Sequence, residues 1–305
     1  MLIRGRILPL QGALLACPEG QCLWELVSSE NSFNIGMTIL FGVLWGVGGL
    51  TFGLSMRYLG VALGQSIALG TCAGLGTVMG PILLNIFFPE QGALASLTTS
   101  VLLGVAVTLL GIAIIGIAGS MKASTLSEEE KKAAVKDFNF PRGIVIALLA
   151  GFMSGCFNVG LAFGEGINFG ELTPDMFKTL PATFLVTLGG FATNAIYCFY
   201  QNHKNGTWSD YRKGNVWINN LFFCVLAGAL WYSQFFGLSL AKGFLVESDT
   251  LMTLSFCILM ALNVTFSNVW GIILKEWKGC SSLTIEVLIL GLVVLIASSF
   301  LPQLI

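Results

Sequence analysis

The chain has 305 residues, of which 55% are hydrophobic and only 10% charged, and its formal net charge is −1. Soluble domains carry charge on about 25% of their residues, so this composition excludes a water-soluble fold, and a near-zero charge without a basic stripe excludes a nucleic-acid surface. A transmembrane β-barrel is excluded too, because barrel strands alternate polar with apolar over about ten residues and no stretch here does so.

What remains is an all-α polytopic membrane protein. A helix of about 20 apolar residues, rising about 1.5 Å per residue, crosses a hydrocarbon layer of roughly 30 Å. Eight such stretches occur, near 35–56, 61–86, 97–118, 143–163, 179–200, 216–238, 250–274 and 283–301. Ahead of them, a short apolar stub at 7–16 follows two arginines in the manner of a signal peptide; we read it instead as the remnant of a helix. Cys17 and Cys22 share the next loop, where a disulfide is the lesser reading and unpaired cysteines the expected one. The other cysteines lie mostly inside spans, with no CxxC pair and no Cys/His spacing for a metal, so neither a metal site nor a cofactor is expected.

The first span carries Trp45 and ends at Arg57, where a cation complements the helix C-terminus and fixes topology. The second holds Gln65 and a ladder of small residues at spacing four, Gly60, Gly64, Ala68, Cys72, Gly76 and Gly80, which lets another helix approach closely. Its Gly80-Pro81 pair is expected to break the helix near the outer face. The loop at 120–140 is the longest charged segment, and its Ser127-Glu-Glu-Glu-Lys-Lys run suits a short surface helix with opposite charges three and four residues apart. Pro141 and Pro181 each open a span, where a missing N–H costs least.

The fourth span contains Asn158 and runs into Glu165, and the fifth contains Asn194. The sixth contains Trp231, Tyr232 and Gln234, an amide beside aromatic faces, as a sugar site requires. Glu247 and Asp249 open the seventh, which holds Asn263 and Asn268, and Lys275 follows it. Glu286 lies near the inner end of the eighth. Amides within lipid need partners and are explained either by interhelical hydrogen bonds or by a ligand. Ionisable groups beside spans are candidates for ion coupling, and we single out Glu165 and Asp249, with Arg57 and Lys275 as topology or gating residues.

Lys122, Lys131, Lys132, Lys136 and Arg142 crowd one loop, Lys204, Arg212 and Lys213 another, and Lys275 and Lys278 a third. These loops and Arg57 fall on one side, which the positive-inside rule makes cytoplasmic. His203, the only histidine, lies in a cytoplasmic loop, and there is no phosphate-binding loop or H-E-x-x-H. Enzyme chemistry is not expected.

Two segments spell nearly the same phrase: Gly42-Val-Leu-Trp45 with Phe52-Gly-Leu-Ser-Met56, and Gly228-Ala-Leu-Trp231 with Phe236-Gly-Leu-Ser-Leu240. Counting the stub as a span, they lie five spans apart. An odd offset sends the copies through the membrane in opposite directions, the trace of an inverted repeat. The expected fold therefore has ten helices in two inverted halves of five, with the first helix and part of the second missing from this chain. Residues 1–119 form the incomplete first repeat, 120–141 the cytoplasmic connector and 142–305 the second repeat.

Phe41-Gly-Val-Leu-Trp-Gly-Val-Gly-Gly-Leu-Thr-Phe-Gly-Leu-Ser-Met-Arg-Tyr-Leu-Gly60, Leu230-Trp-Tyr-Ser-Gln-Phe-Phe236 and Leu274-Lys-Glu-Trp277 together closely resemble the bacterial L-rhamnose–proton symporter family of the drug/metabolite transporter superfamily. The resemblance runs from about Pro9 to the C-terminus. It implies a bacterial inner-membrane importer that couples L-rhamnose, or a close 6-deoxysugar, to proton entry by alternating access. The sugar would then be held by Trp45, Gln65, Asn158, Trp231, Tyr232 and Gln234. Two departures limit what carries over. Gly49 and Phe52 stand where members have Asn and Tyr, and Phe256 and Leu259 where they have Trp and His, so the sugar's identity and a histidine relay are not inherited. An exporter of another metabolite and a sugar sensor that moves nothing are the alternatives, and the oligomeric state is left open.

Overall fold

A computed structural model of the chain describes residues 7–18, 23–125, 137–212 and 216–300. These residues form α-helices and short 3-10 turns, with no strand among them. In chain order the α-helices are α1 (Ile7–Leu15), α2 (Leu23–Ser29), α3 (Ser32–Leu59), α4 (Val61–Phe87), α5 (Thr99–Thr125), α6 (Phe140–Phe163), α7 (Leu180–Asn205), α8 (Val216–Phe244), α9 (Asp249–Ile273) and α10 (Ser282–Phe300). Seven of them, α3 to α9, are long and apolar enough to cross a membrane, and the protein is a multi-pass membrane protein. The eighth expected span is α10, whose 19 residues reach about 28 Å at 1.5 Å per residue. The Cys17–Cys22 pairing, the connector helix at 127–132 and the cations Lys131, Lys132, Lys136 and Lys213 fall, wholly or through one partner, outside the described residues.

The chain divides into two compact units: Met1–Gly46 with Gly160–Glu247, and Val47–Val159 with Ser248–Ile305. Each is built from two separate stretches of the sequence, and α3 and α6 contribute to both.

In the first unit, α3 and α7 cross with their backbones almost touching. A Cβ on Gly42 would lie 2.3 Å from the Val186 carbonyl oxygen, and one on Gly189 2.3 Å from that of Ile39. Gly160 of α6 joins the same crossing, since its Cβ would meet a Val186 methyl at 2.8 Å. Without a hydrophobic drive between helices in lipid, close approach through small residues supplies the association by dispersion. Phe41 and Phe163 stack beside it at 5.7 Å. The stub α1 packs on α7.

In the second unit, α4 packs on α9 and α5 on α10. Its core includes Leu59, Leu63, Ile67, Ile115, Val264 and Leu288. The small-residue ladder of α4 is a seat for α6: a Cβ on Gly151 would lie 2.5 Å from the Ala68 carbonyl oxygen, and one on Gly155 3.1 Å from the Gly76 nitrogen. The expected break at Gly80-Pro81 is not present, since α4 runs unbroken through Pro81 to Phe87. Proline removes one backbone bond, and the packing of α4 against α9 keeps the helix whole around the gap. Pro141 and Pro181 lie in the first turns of α6 and α7, where the missing donor is not needed.

Candidate functional site

The repeated phrase brings its two tryptophans together. Trp45 of α3 and Trp231 of α8 stack at 5.6 Å between ring centroids with planes 20° apart, and Phe235, one turn along α8, meets Trp231 edge-on at 5.0 Å. Offset stacking of this kind suits the ring quadrupoles. Trp231 is 43% exposed. Gly190 of α7 forms the floor under Trp45, where a Cβ would lie 2.4 Å from both Cε3 and Cζ3 of the indole. Only a residue without a side chain lets the ring lie there.

Polar groups of α7 border this floor. Thr193 donates to the Val43 carbonyl at 3.1 Å, and Asn194 Nδ2 donates to Gly190 at 2.8 Å and Gly46 at 3.4 Å. Both tie α7 to α3. Gln234 is half-buried on α8. Tyr232 is 6% exposed, and its hydroxyl has no hydrogen-bond partner. The structure turns that hydroxyl toward α1, since a Cβ on Gly12 would sit 2.4 Å from it. Successive helix residues point about 100° apart, which explains why Tyr232 leaves the face that Trp231 occupies.

At the far end of α6, Glu165 is exposed and is the carboxylate whose charge acts on Lys242 of α8. Ser239 of α8 donates to the Met176 carbonyl at 2.8 Å and accepts from Thr179 at 2.7 Å, closing the loop before α7 onto α8.

The remaining candidates belong to the second unit. Gln65 is half-buried on the second turn of α4. Asn158 uses its Nδ2 on the Gly76 carbonyl at 2.9 Å, which makes it a tie between α6 and α4. Asn268, fully buried, donates to Ser66 Oγ at 2.7 Å, while its Oδ1 has no partner. Asp249 is exposed in the first turn of α9, whose N-cap is Ser248; a carboxylate there complements the helix dipole. Arg57 is exposed and pairs with Asp137 at 2.7 Å. Lys275 adopts φ 60° in the turn after α9.

Two buried charged groups escaped sequence reasoning. Lys122, counted above among loop cations, is 2% exposed in the last turns of α5, and Glu276 is 8% exposed. Lys122 donates to the Glu276 backbone carbonyl and lies 5.0 Å over the Trp277 ring. The only signal for Glu276 was the Leu274-Lys-Glu-Trp277 phrase, and Lys122 had none beyond its place among the loop cations. Beside them burial pushes the Cys280 thiol up, with Lys122 acting in the opposite direction.

The chain matches the family of the L-rhamnose-proton symport protein (RhaT) over residues 2–304. It belongs to that family. The L-rhamnose-proton symporters of Yersinia pestis (strain Pestoides F) and Yersinia pseudotuberculosis (serotype O:1b, strain IP 31758) are each 30% identical to it over 315 residues, covering 98% of this chain and 85% of each relative. These relatives are symporters, and the chain is a member of a transporter family rather than an enzyme. No solved structure matches it.

Proposed function

We propose that the protein is a secondary active transporter that imports L-rhamnose, or a close 6-deoxysugar, with a proton by alternating access across a bacterial inner membrane. The observation that carries this reading is the family match along nearly the whole chain, together with seven helices among the described residues that are able to span a membrane. A ten-helix inverted repeat accords with two features. The tryptophans of the duplicated phrase stack on each other in the first unit, and in the second unit α4 and α5 pack on α9 and α10, their counterparts in the other half.

The sugar rests its C–H surface on the open indole of Trp231, backed by Trp45, with Gln234 and the α7 amide Asn194 supplying hydrogen bonds. Tyr232 contributes through its contact with α1. Gln65 and Asn158 remain polar candidates within the second unit, and Glu165 and Asp249 the candidate proton-coupling carboxylates. The test is to add L-rhamnose to de-energised cells that lack their own carrier and express this protein, while recording external pH. Rhamnose-specific alkalinisation is expected. A flat trace, with labelled rhamnose also failing to enter, refutes the reading and favours another solute or a sensor.

A further inference from the structure

At the Arg57 end of the second unit lies a group of buried charges that the sugar site does not use. Glu276 sits in the turn after α9, and its two carboxylate oxygens accept the N–H groups of Val61 and Ala62 at 3.1 Å each. These are the first two residues of α4, whose N-cap, Gly60, makes no side-chain cap bond. The first N–H groups of a helix lack intrahelical partners and carry partial positive charge. Glu276 supplies the missing cap from 214 residues away.

Lys122 holds the same turn from the other side, through the Glu276 backbone carbonyl and the Trp277 ring. The backbone on each side of the contact is in the left-handed region, at Gly60 (φ 86°) and at Lys275 (φ 60°), the latter the one non-glycine so placed among the described residues. Nearby, Asn139 N–H donates to the Tyr58 carbonyl at 3.0 Å and Arg142 lies over the Tyr58 ring. The ends of α3, α4, α5, α6 and α9 thus meet at polar contacts set beside an apolar core that includes Leu59, Ala62, Leu63 and Trp277. Such contacts are strong while dry, and water replaces them at small net cost once it enters.

We propose that Glu276 is a positioning residue of the transport cycle: its carboxylate caps α4 from the α9–α10 turn and, with Lys122, latches this end of the second unit closed. The effect on turnover rests on the transport reading; the latch itself is read independently through Cys280, which is half-buried in the same turn. Maleimides attack the thiolate, and burial of Cys280 disfavours it, so opening the latch speeds labelling.

The experiment uses the full chain in inside-out vesicles, with Cys17→Ser, Cys198→Ser and Cys224→Ser removing the other thiols that are not buried among the described residues, and Cys22→Ser added. A membrane-impermeant maleimide is applied to this background, to Glu276→Gln and to Glu276→Asp. Expected for Glu276→Gln is a rise of about tenfold in Cys280 labelling and a similar fall in turnover, the factor carried by one charge-assisted hydrogen bond, with rhamnose KM unchanged. Glu276→Asp, which keeps the charge, lies nearer the parent. Equal labelling in all three proteins overturns the proposal. So does failure of both variants to reach the membrane, which makes Glu276 a static cap. If the parent itself moves no rhamnose, the transport reading fails while labelling still decides the latch.

Discussion

Gly190→Ala is the sharpest test of the indole platform. The added Cβ would stand 2.4 Å from Cε3 and Cζ3 of Trp45, whereas carbon atoms rest about 3.5–4.0 Å apart, so the ring must move by about 1 Å or more. Overpacking of this kind costs about 1–3 kcal/mol, and replacing a mid-helix glycine by alanine returns about 0.8–1.0 kcal/mol of helix propensity. Net stability therefore changes by no more than about 2 kcal/mol, and the protein is expected to fold. What changes is the stacking of Trp45 on Trp231, worth about 0.5–1.5 kcal/mol beyond area, together with the face presented to the sugar. The expected result is a rise in rhamnose KM of about tenfold, which is about 1.4 kcal/mol, accompanied by loss of the coupled-indole signal in circular dichroism. The assay pairs KM from counterflow with the spectrum in detergent, and Gly49→Ala, where a Cβ meets nothing within 4 Å, serves as the control. An unchanged KM with an altered spectrum would falsify the sugar-on-indole placement; an unchanged spectrum would refute the packing argument beneath it.

Three further outcomes follow from particular contacts. Asn268→Ala is expected to lower stability by about 0.6–1.7 kcal/mol, the range for interhelical hydrogen bonds in membranes, and to combine non-additively with Ser66→Ala in a double-mutant cycle read by thermal unfolding in detergent. Lys275→Gly is expected to raise the unfolding temperature, since a side chain in the left-handed region costs roughly 1–2 kcal/mol; a fall in that temperature would show the lysine making a compensating contact. Glu165→Gln combined with Asp249→Asn is expected to abolish rhamnose-linked alkalinisation while sparing rhamnose counterflow, and a retained pH signal would remove both carboxylates from the coupling path.

The spans were legible because they follow from local composition: about 20 apolar residues have no other stable solvent than lipid, and α3 to α9 appear where the apolar runs lie. The tryptophan pair was half legible. The repeated phrase marked Trp45 and Trp231 as equivalent, but their contact and the Gly190 floor depend on how α3, α7 and α8 cross. Tyr232 shows the opposite case, adjacent to Trp231 in sequence and yet turned toward α1.

By itself, then, the sequence determined the solvent, the number and place of most helices, and the family, because each is written in composition or in contiguous phrases. Tertiary structure alone decided which glycines are floors, which amides are already used in ties between helices, and that Lys122 and Glu276, 154 residues apart, meet in a buried turn. Close approach of backbones and the fate of a buried charge are set by what lies opposite in space, and periodicity along one helix carries no record of that partner.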